Sequence, residues 1–239
     1  MRVSSRHISD KTEDQRKVWD LPVRIFHWSL AAAFLGAFVT NRLGVRYFHY
    51  HALCGYAVIV LVAFRIIWGV IGTRHARFWN FVRGPAATLR YALAIGRGRA
   101  RPYAGHNPLG ALMVIVLLAA LGVEAVIGLF ANDEIFNTGP LYGAVSDALS
   151  LKLTGLHRQL FYWIAAAVGL HVAAVLFHRL VKGERLVRAM ITGRKPSHVV
   201  GAHDAIGASR SWLAVVVVIL LVGVLAWVVN VSPNAIAFN

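Results

Sequence analysis

The sequence predicts an all-α integral membrane protein: a four-helix transmembrane bundle followed by a fifth, C-terminal transmembrane helix. Of its 239 residues, 58% are hydrophobic and only 15% charged. Its mean hydropathy is +0.60, whereas a soluble domain is roughly half apolar and a quarter charged. The apolar residues are gathered into five runs, each long enough at ~20 residues to cross a bilayer as a helix.

The first span is placed at residues 21–40, after a polar tail over residues 1–20 that lacks the cleavage pattern of a secretory signal. The second, residues 51–72, carries Arg65. The basic connection that follows holds an amphipathic segment near residues 85–95, with Pro85 at a first helical position behind Gly84. Asn107 and Pro108 read as the cap and first residue of the third span, residues 109–130, which contains Glu124. The fourth span is placed at residues 160–177 and the fifth, free of charge, at 212–229. Residues 21–195 thus form the bundle domain, and residues 196–239 a linker with the fifth span. Most tryptophans fall near helix ends, as in an aromatic belt.

Against 10 Asp and Glu stand 25 Lys and Arg, a formal net charge of +15. Such an excess suits nucleic acid or an anionic lipid surface, and placement decides between them. The N-terminal segment through Arg24 and the connections over 73–108 and 178–210 hold 20 of the 25 cations. All three lie on one side of the five spans. That side is cytoplasmic by the positive-inside rule, with the C-terminus opposite. Headgroups are then the expected neighbours, and nucleic acid is not an expected partner. The single cysteine, Cys54, excludes disulfide frameworks and Cys-rich metal or iron–sulfur motifs, so ligation must run through the 11 histidines.

Histidine inside an apolar span is costly and usually faces the bundle interior or a cofactor. On the fourth helix, His157 and His171 are 14 residues apart, about 40° short of four whole turns and ~21 Å in rise, so they share a face at two depths. His27 lies in the inner half of helix one and His51 near the outer end of helix two. Depth sorts the four into two pairs, His27 with His171 and His51 with His157. Two imidazoles converging at one depth are what bis-His axial ligation of haem iron requires, and a four-helix bundle is a usual host. The residues therefore predict two haem b groups, one near each face. Any one of these histidines could instead be a satisfied polar residue, but the pairing by depth is harder to explain that way.

Arg24, three residues before His27, and Arg65, 14 residues after His51, are candidates for haem propionates, although long cations near helix ends also snorkel to headgroups. His106 and His178 are assigned to the vicinity of a quinone or a propionate. His49 points to another face, and His7, His75, His198 and His203 read as solvated. Glu124 serves either proton handling at an outer quinone or haem, or no function beyond a hydrogen-bonded acid. Gly55, four residues after His51, leaves room for a macrocycle.

VWDLPVRIFHW from Val18, HALCGY from His51, LVAFRIIWGVIGTRHARF from Leu61, GHNPLGALMV from Gly105, GPL from Gly139, LHRQLFYW from Leu156, LHVAAVLFHRL from Leu170 and LVRAMITGRK from Leu186 follow in that order. This set resembles the bacterial cytochrome b561 and nickel–iron hydrogenase cytochrome b family. The resemblance covers roughly residues 18–195. It implies a di-haem membrane cytochrome with His27, His51, His157 and His171 as the axial ligands, in agreement with the depth sorting.

The expectation is a di-haem b-type cytochrome of the bacterial inner membrane. It would carry electrons between a periplasmic-side redox partner and the quinone pool, with any catalysis confined to redox chemistry at haem or quinone. One alternative is a membrane-anchor cytochrome subunit of a hydrogenase or other respiratory dehydrogenase, hence a hetero-oligomer. Another, of a different class, is a His-lined transporter or metal-ion carrier.

Overall fold

A computed structural model describes residues 14–232. Residues 1–13, which include His7, and residues 233–239 lie outside the described part. Five helices are long and apolar enough to cross a membrane. In chain order the elements are β1 (Gln15–Lys17), α1 (Leu21–Arg42), α2 (Phe48–Ile71), the short α3 (Phe78–Phe81), α4 (Pro85–Gly96), α5 (Pro108–Gly128), α6 (Asp147–Leu180), α7 (Leu186–Thr192), β2 (Arg194–Pro196) and α8 (Ser211–Asn230).

Local chemistry sets the helix starts. Asp20 caps α1 by accepting from the Val23 N–H at 2.7 Å. Asn107 caps α5 in the same way through the Gly110 N–H at 2.8 Å, and both helices carry proline in their first turn. These are the side-chain acceptors and preset φ that a free helix N-terminus favours.

The fourth spanning helix departs from expectation. α6 has 34 residues and begins at Asp147 rather than near residue 160, capped by Ser146. At ~1.5 Å per residue it is about 50 Å long, well beyond the hydrocarbon core. Its first turns carry Asp147, Ser150, Lys152 and Thr154, so no apolar run marks them. They are held instead by polar contacts with the α5–α6 connection. The Ser150 hydroxyl donates to the Phe130 carbonyl at 2.7 Å, and the Asn132 N–H donates to the Thr154 hydroxyl at 2.9 Å.

α2 is the central helix, packed against α1, α5 and α8, while α6 leans on α5. Val58, Val62, Leu118, Leu121, Ile164 and Val217 are among the buried side chains that fill these contacts. The backbone of α6 packs less closely on α1 and α2 than on α5.

At the basic end the connections interlock. β1 pairs antiparallel with β2, and the Val18 and Trp19 N–H groups both donate to the Gly193 carbonyl. Residues 15–20 are therefore part of a cap, with Val18 and Trp19 buried. Residues 196–206 belong to it as well: Val200 is buried, Arg16 donates to its carbonyl at 2.7 Å, and the Ile206 N–H donates to the Lys17 carbonyl at 2.9 Å. Asp20 joins the cap to the bundle, because its second carboxylate oxygen accepts from Trp68 Nε1 at 3.1 Å and from the Thr73 hydroxyl. The polar tail and the linker of the expected organisation are in these stretches packed structure.

Candidate functional site

The fold brings the four span histidines together in the two pairs that depth predicts. His51 and His157 have ring centroids 6.2 Å apart with planes at 88°. For His27 and His171 the figures are 6.4 Å and 54°. Two imidazoles bound to opposite sides of one metal, at ~2 Å per bond and about 1 Å from each nitrogen to its ring centre, lie about 6 Å apart. Both pairs match that separation.

The far-end pair is wired to the backbone. His51 Nδ1 lies 2.9 Å from the Ala37 carbonyl of α1, and His157 Nδ1 lies 3.0 Å from the Glu124 carbonyl of α5. A carbonyl only accepts, so each Nδ1 carries the proton and each Nε2 keeps its lone pair. That tautomer is the one in which Nε2 can ligate a metal while the other ring nitrogen is held by the protein. Glu124 also places Oε1 3.4 Å from His157 Nδ1. One turn on, Gly128 makes room for the ring, since a Cβ there would sit 3.2 Å from His157 Cε1.

A cavity of about 560 Å³ opens beside this pair, lined by Phe34, Phe38, Arg42, His51, Gly55, Glu124, His157, Arg158 and Phe161 among others. Its volume falls within the ~300–1,000 Å³ usual for small-molecule and cofactor sites. Nothing stands within 4 Å of a Cβ built on Gly55, so the wall there is open. Phe38 and Phe161 stack across it at 5.4 Å with planes 4° apart. Arg42, over the Phe38 ring, and Arg158 border the cavity. Sequence reasoning missed both arginines as site residues. The signal was there, since Arg158 adjoins His157 and Arg42 ends the first helix.

At the basic-end level, His27 Nδ1 is buried without a partner. Arg65 is 2% exposed, its guanidinium lies 4.7 Å from the Phe78 ring and 5.7 Å from the Phe81 ring, and its Nη1 has no hydrogen-bond partner. His106 packs between Trp19 and Phe81, at centroid distances of 4.7 and 4.6 Å, and its Nδ1 is also unpartnered. Burial, reinforced by the Arg65 and Lys195 cations, pushes the His106 imidazole down to about 3, so it is neutral at physiological pH. Lys195 is 9% exposed and donates to the Tyr103 carbonyl at 2.9 Å. Burial lowers its ammonium to about 8.

Two expected site residues are engaged elsewhere. Arg24 donates to the Met190 carbonyl at 3.4 Å and to the Ile191 carbonyl. These are orphan acceptors at the end of α7, where a cation is favoured. His178 is buried and its Nδ1 lies 3.2 Å from Glu184 Oε2, which ties α6 to the turn before α7. The structure thus gives Arg24 and His178 local protein partners. His75 is not solvated either, since its Nε2 lies 2.8 Å from the Asp204 carbonyl.

Among the described residues, no group of three or more His, Cys, Asp or Glu is arranged to hold a metal ion directly. What the structure offers is paired imidazoles with free Nε2 atoms at one level, a cofactor-sized slot, and buried unpartnered donors at the other level. A resident tetrapyrrole with anionic side groups fits this donor set.

A family model described as prokaryotic cytochrome b561 matches residues 18–193. Three curated relatives carry the name "Probable Ni/Fe-hydrogenase B-type cytochrome subunit". That of Rhodobacter capsulatus is 25% identical, with 74% of this chain and 80% of the relative covered. That of Azotobacter vinelandii is 24% identical, covering 74% and 86% respectively. That of Cupriavidus necator is 24% identical, covering 77% and 88%.

Proposed function

Because the chain belongs to the prokaryotic cytochrome b561 family, and so is a membrane b-type cytochrome, we propose that it is the cytochrome subunit of a hydrogenase or related respiratory dehydrogenase. In this reading it holds two haem b groups and passes electrons from a partner chain to the quinone pool. The observation that carries the reading is the pair of imidazole pairs, each with the ring spacing of bis-His ligation, stacked at two depths along α6. The names and extensive coverage of the hydrogenase relatives favour a complex-bound subunit over the stand-alone carrier expected from the sequence.

His51 and His157 hold one group through Nε2, with their Nδ1 atoms held by Ala37 and Glu124. His27 and His171 hold the other. When bound, haem b supplies a one-electron ferric/ferrous couple. Arg65 Nη1, buried and unpartnered, supplies a charge-assisted donor for a propionate at the basic-end level. His106, neutral with an unpartnered Nδ1, offers a hydrogen-bonding nitrogen to a quinone there. The cation-rich end faces the cytoplasm of an inner-membrane protein, with the N-terminus on that side and the C-terminus periplasmic.

The test is the haem-to-protein ratio with dithionite-reduced spectra, on wild type and on His27→Ala, His51→Ala, His157→Ala and His171→Ala. Two haems per chain are expected. Loss of one spectral species should accompany either far-end substitution, and loss of the other either basic-end one. A wild-type ratio below two with ample haem supplied would sink the two-haem reading. Co-purification with a large metalloprotein separates subunit from stand-alone carrier.

A further inference from the structure

Helix α5 contributes no histidine to either pair, yet it builds the seat for one of them. His157 Nδ1 donates to the Glu124 backbone carbonyl at 3.0 Å, and the carboxyl oxygen Oε1 of the same residue packs 3.4 Å from that nitrogen. Glu124 Oε2 is buried and unpartnered, and the carboxyl lines the cavity. Gly128 leaves the space that the His157 ring edge occupies. An acidic side chain inside an apolar span, here in its outer half, is expensive and is retained where it serves a site. Among the described residues, no Lys or Arg side chain forms an ion pair with it. The basic-end pair has no counterpart, since His27 Nδ1 is buried with no acceptor.

We propose that Glu124 is a positioning residue for the far-end pair: with a carboxyl oxygen packed 3.4 Å from His157 Nδ1, it orients that ring and lowers the reduction potential of the haem held by His51 and His157, leaving the other haem unaffected. The physical basis is ligand basicity. The backbone hydrogen bond fixes the tautomer, and the negative end of a buried carboxyl beside the ring N–H polarises it further and makes the opposite nitrogen a stronger base. A stronger base stabilises the more highly charged ferric iron over the ferrous form. Hydrogen bonding around the ligands is one of the protein's main controls on haem potential.

The inference rests on the two-haem reading, and the experiment separates the two. Haem content is measured first on the purified full-length holoprotein. Fewer than two haems per chain in wild type, or no loss in His157→Ala, overturns the underlying reading. Redox titration of wild type, Glu124→Leu and Glu124→Gln then tests the positioning role. In Glu124→Leu the potential of the haem that His157→Ala removes shifts upward, and the second haem does not move. Glu124→Gln keeps an amide oxygen at the same reach and shifts it less. An unchanged separation between the two potentials, a common shift of both, or a Gln effect as large as the Leu effect would overturn the proposal. If Glu124→Leu fails to retain haem, Gly128→Ala decides the matter. It crowds the ring and should change the ferric electron paramagnetic resonance (EPR) signal of that haem alone, and an unaltered signal overturns the seat.

Discussion

The two histidine levels are built by opposite means. At the far end, both Nδ1 atoms are held by backbone carbonyls from helices other than their own, beside a roomy cavity. At the basic end, His27 Nδ1, Arg65 Nη1 and His106 Nδ1 are buried and unpartnered beneath a cap of interlocked strands and loops. One level orients its imidazoles before anything binds. The other stores unsatisfied polar nitrogens, each costly to bury until something pairs with it.

If preorganisation matters, the far-end level takes haem first. Limiting-haem reconstitution should fill the species that depends on His51 and His157 with an affinity on the order of 10- to 100-fold higher, the usual worth of such supporting hydrogen bonds. Filling of both species together would break the contrast.

The ring planes offer a spectroscopic version of the same comparison. Planes at 88° engage two iron d orbitals almost equally and keep them nearly degenerate, which spreads the ferric g values, whereas planes at 54° split them further. The far-end haem should give the more anisotropic EPR signal, the one lost in His51→Ala.

The two ends should also answer pH in opposite ranges. Lys195, at the basic end, is lowered by burial to about 8, from the ordinary lysine value of 10.5. Between those values the unfolded chain binds more protons than the folded one, so stability rises with pH there. Thermal unfolding in detergent should show this rise, and Lys195→Met should abolish it.

At the far end, burial alone would raise the Asp133 carboxyl. The backbone N–H groups of Asn137, Ile135 and Phe136 outweigh it and bring the group down to about 2, from 3.8. Its contribution is present above 3.8 and is lost as pH falls toward 2. The effect is the smallest of the four and is local, so hydrogen exchange in the 131–141 connection is the measurement. Asp133→Asn should remove the pH dependence without moving either haem.

How much of this was legible differs element by element. The caps at Asn107 and Pro108 and the start of α4 at Pro85 were readable because each depends on neighbours within one turn. The pairing of His27 with His171 and of His51 with His157 was readable because helix rise and span direction are properties of the chain alone. The first 13 residues of α6 were not, since polar contacts with the loop after α5 hold them. Arg24 was read as a propionate partner from its spacing to His27, and only the docking of α7 beside α1 reveals the carbonyls that claim it.

By itself, then, the sequence determined that the chain is a bundle of apolar spans, which end is basic, and which histidines share a depth. Hydropathy and helical periodicity are local quantities, and depth follows from counting residues. Only the tertiary structure decided which ring nitrogen each far-end histidine leaves free, that Glu124 sits against His157, and that the basic end closes into a cap. Those outcomes depend on contacts between residues far apart in the chain, formed when whole helices pack side by side, and no local pattern encodes the distances that packing creates.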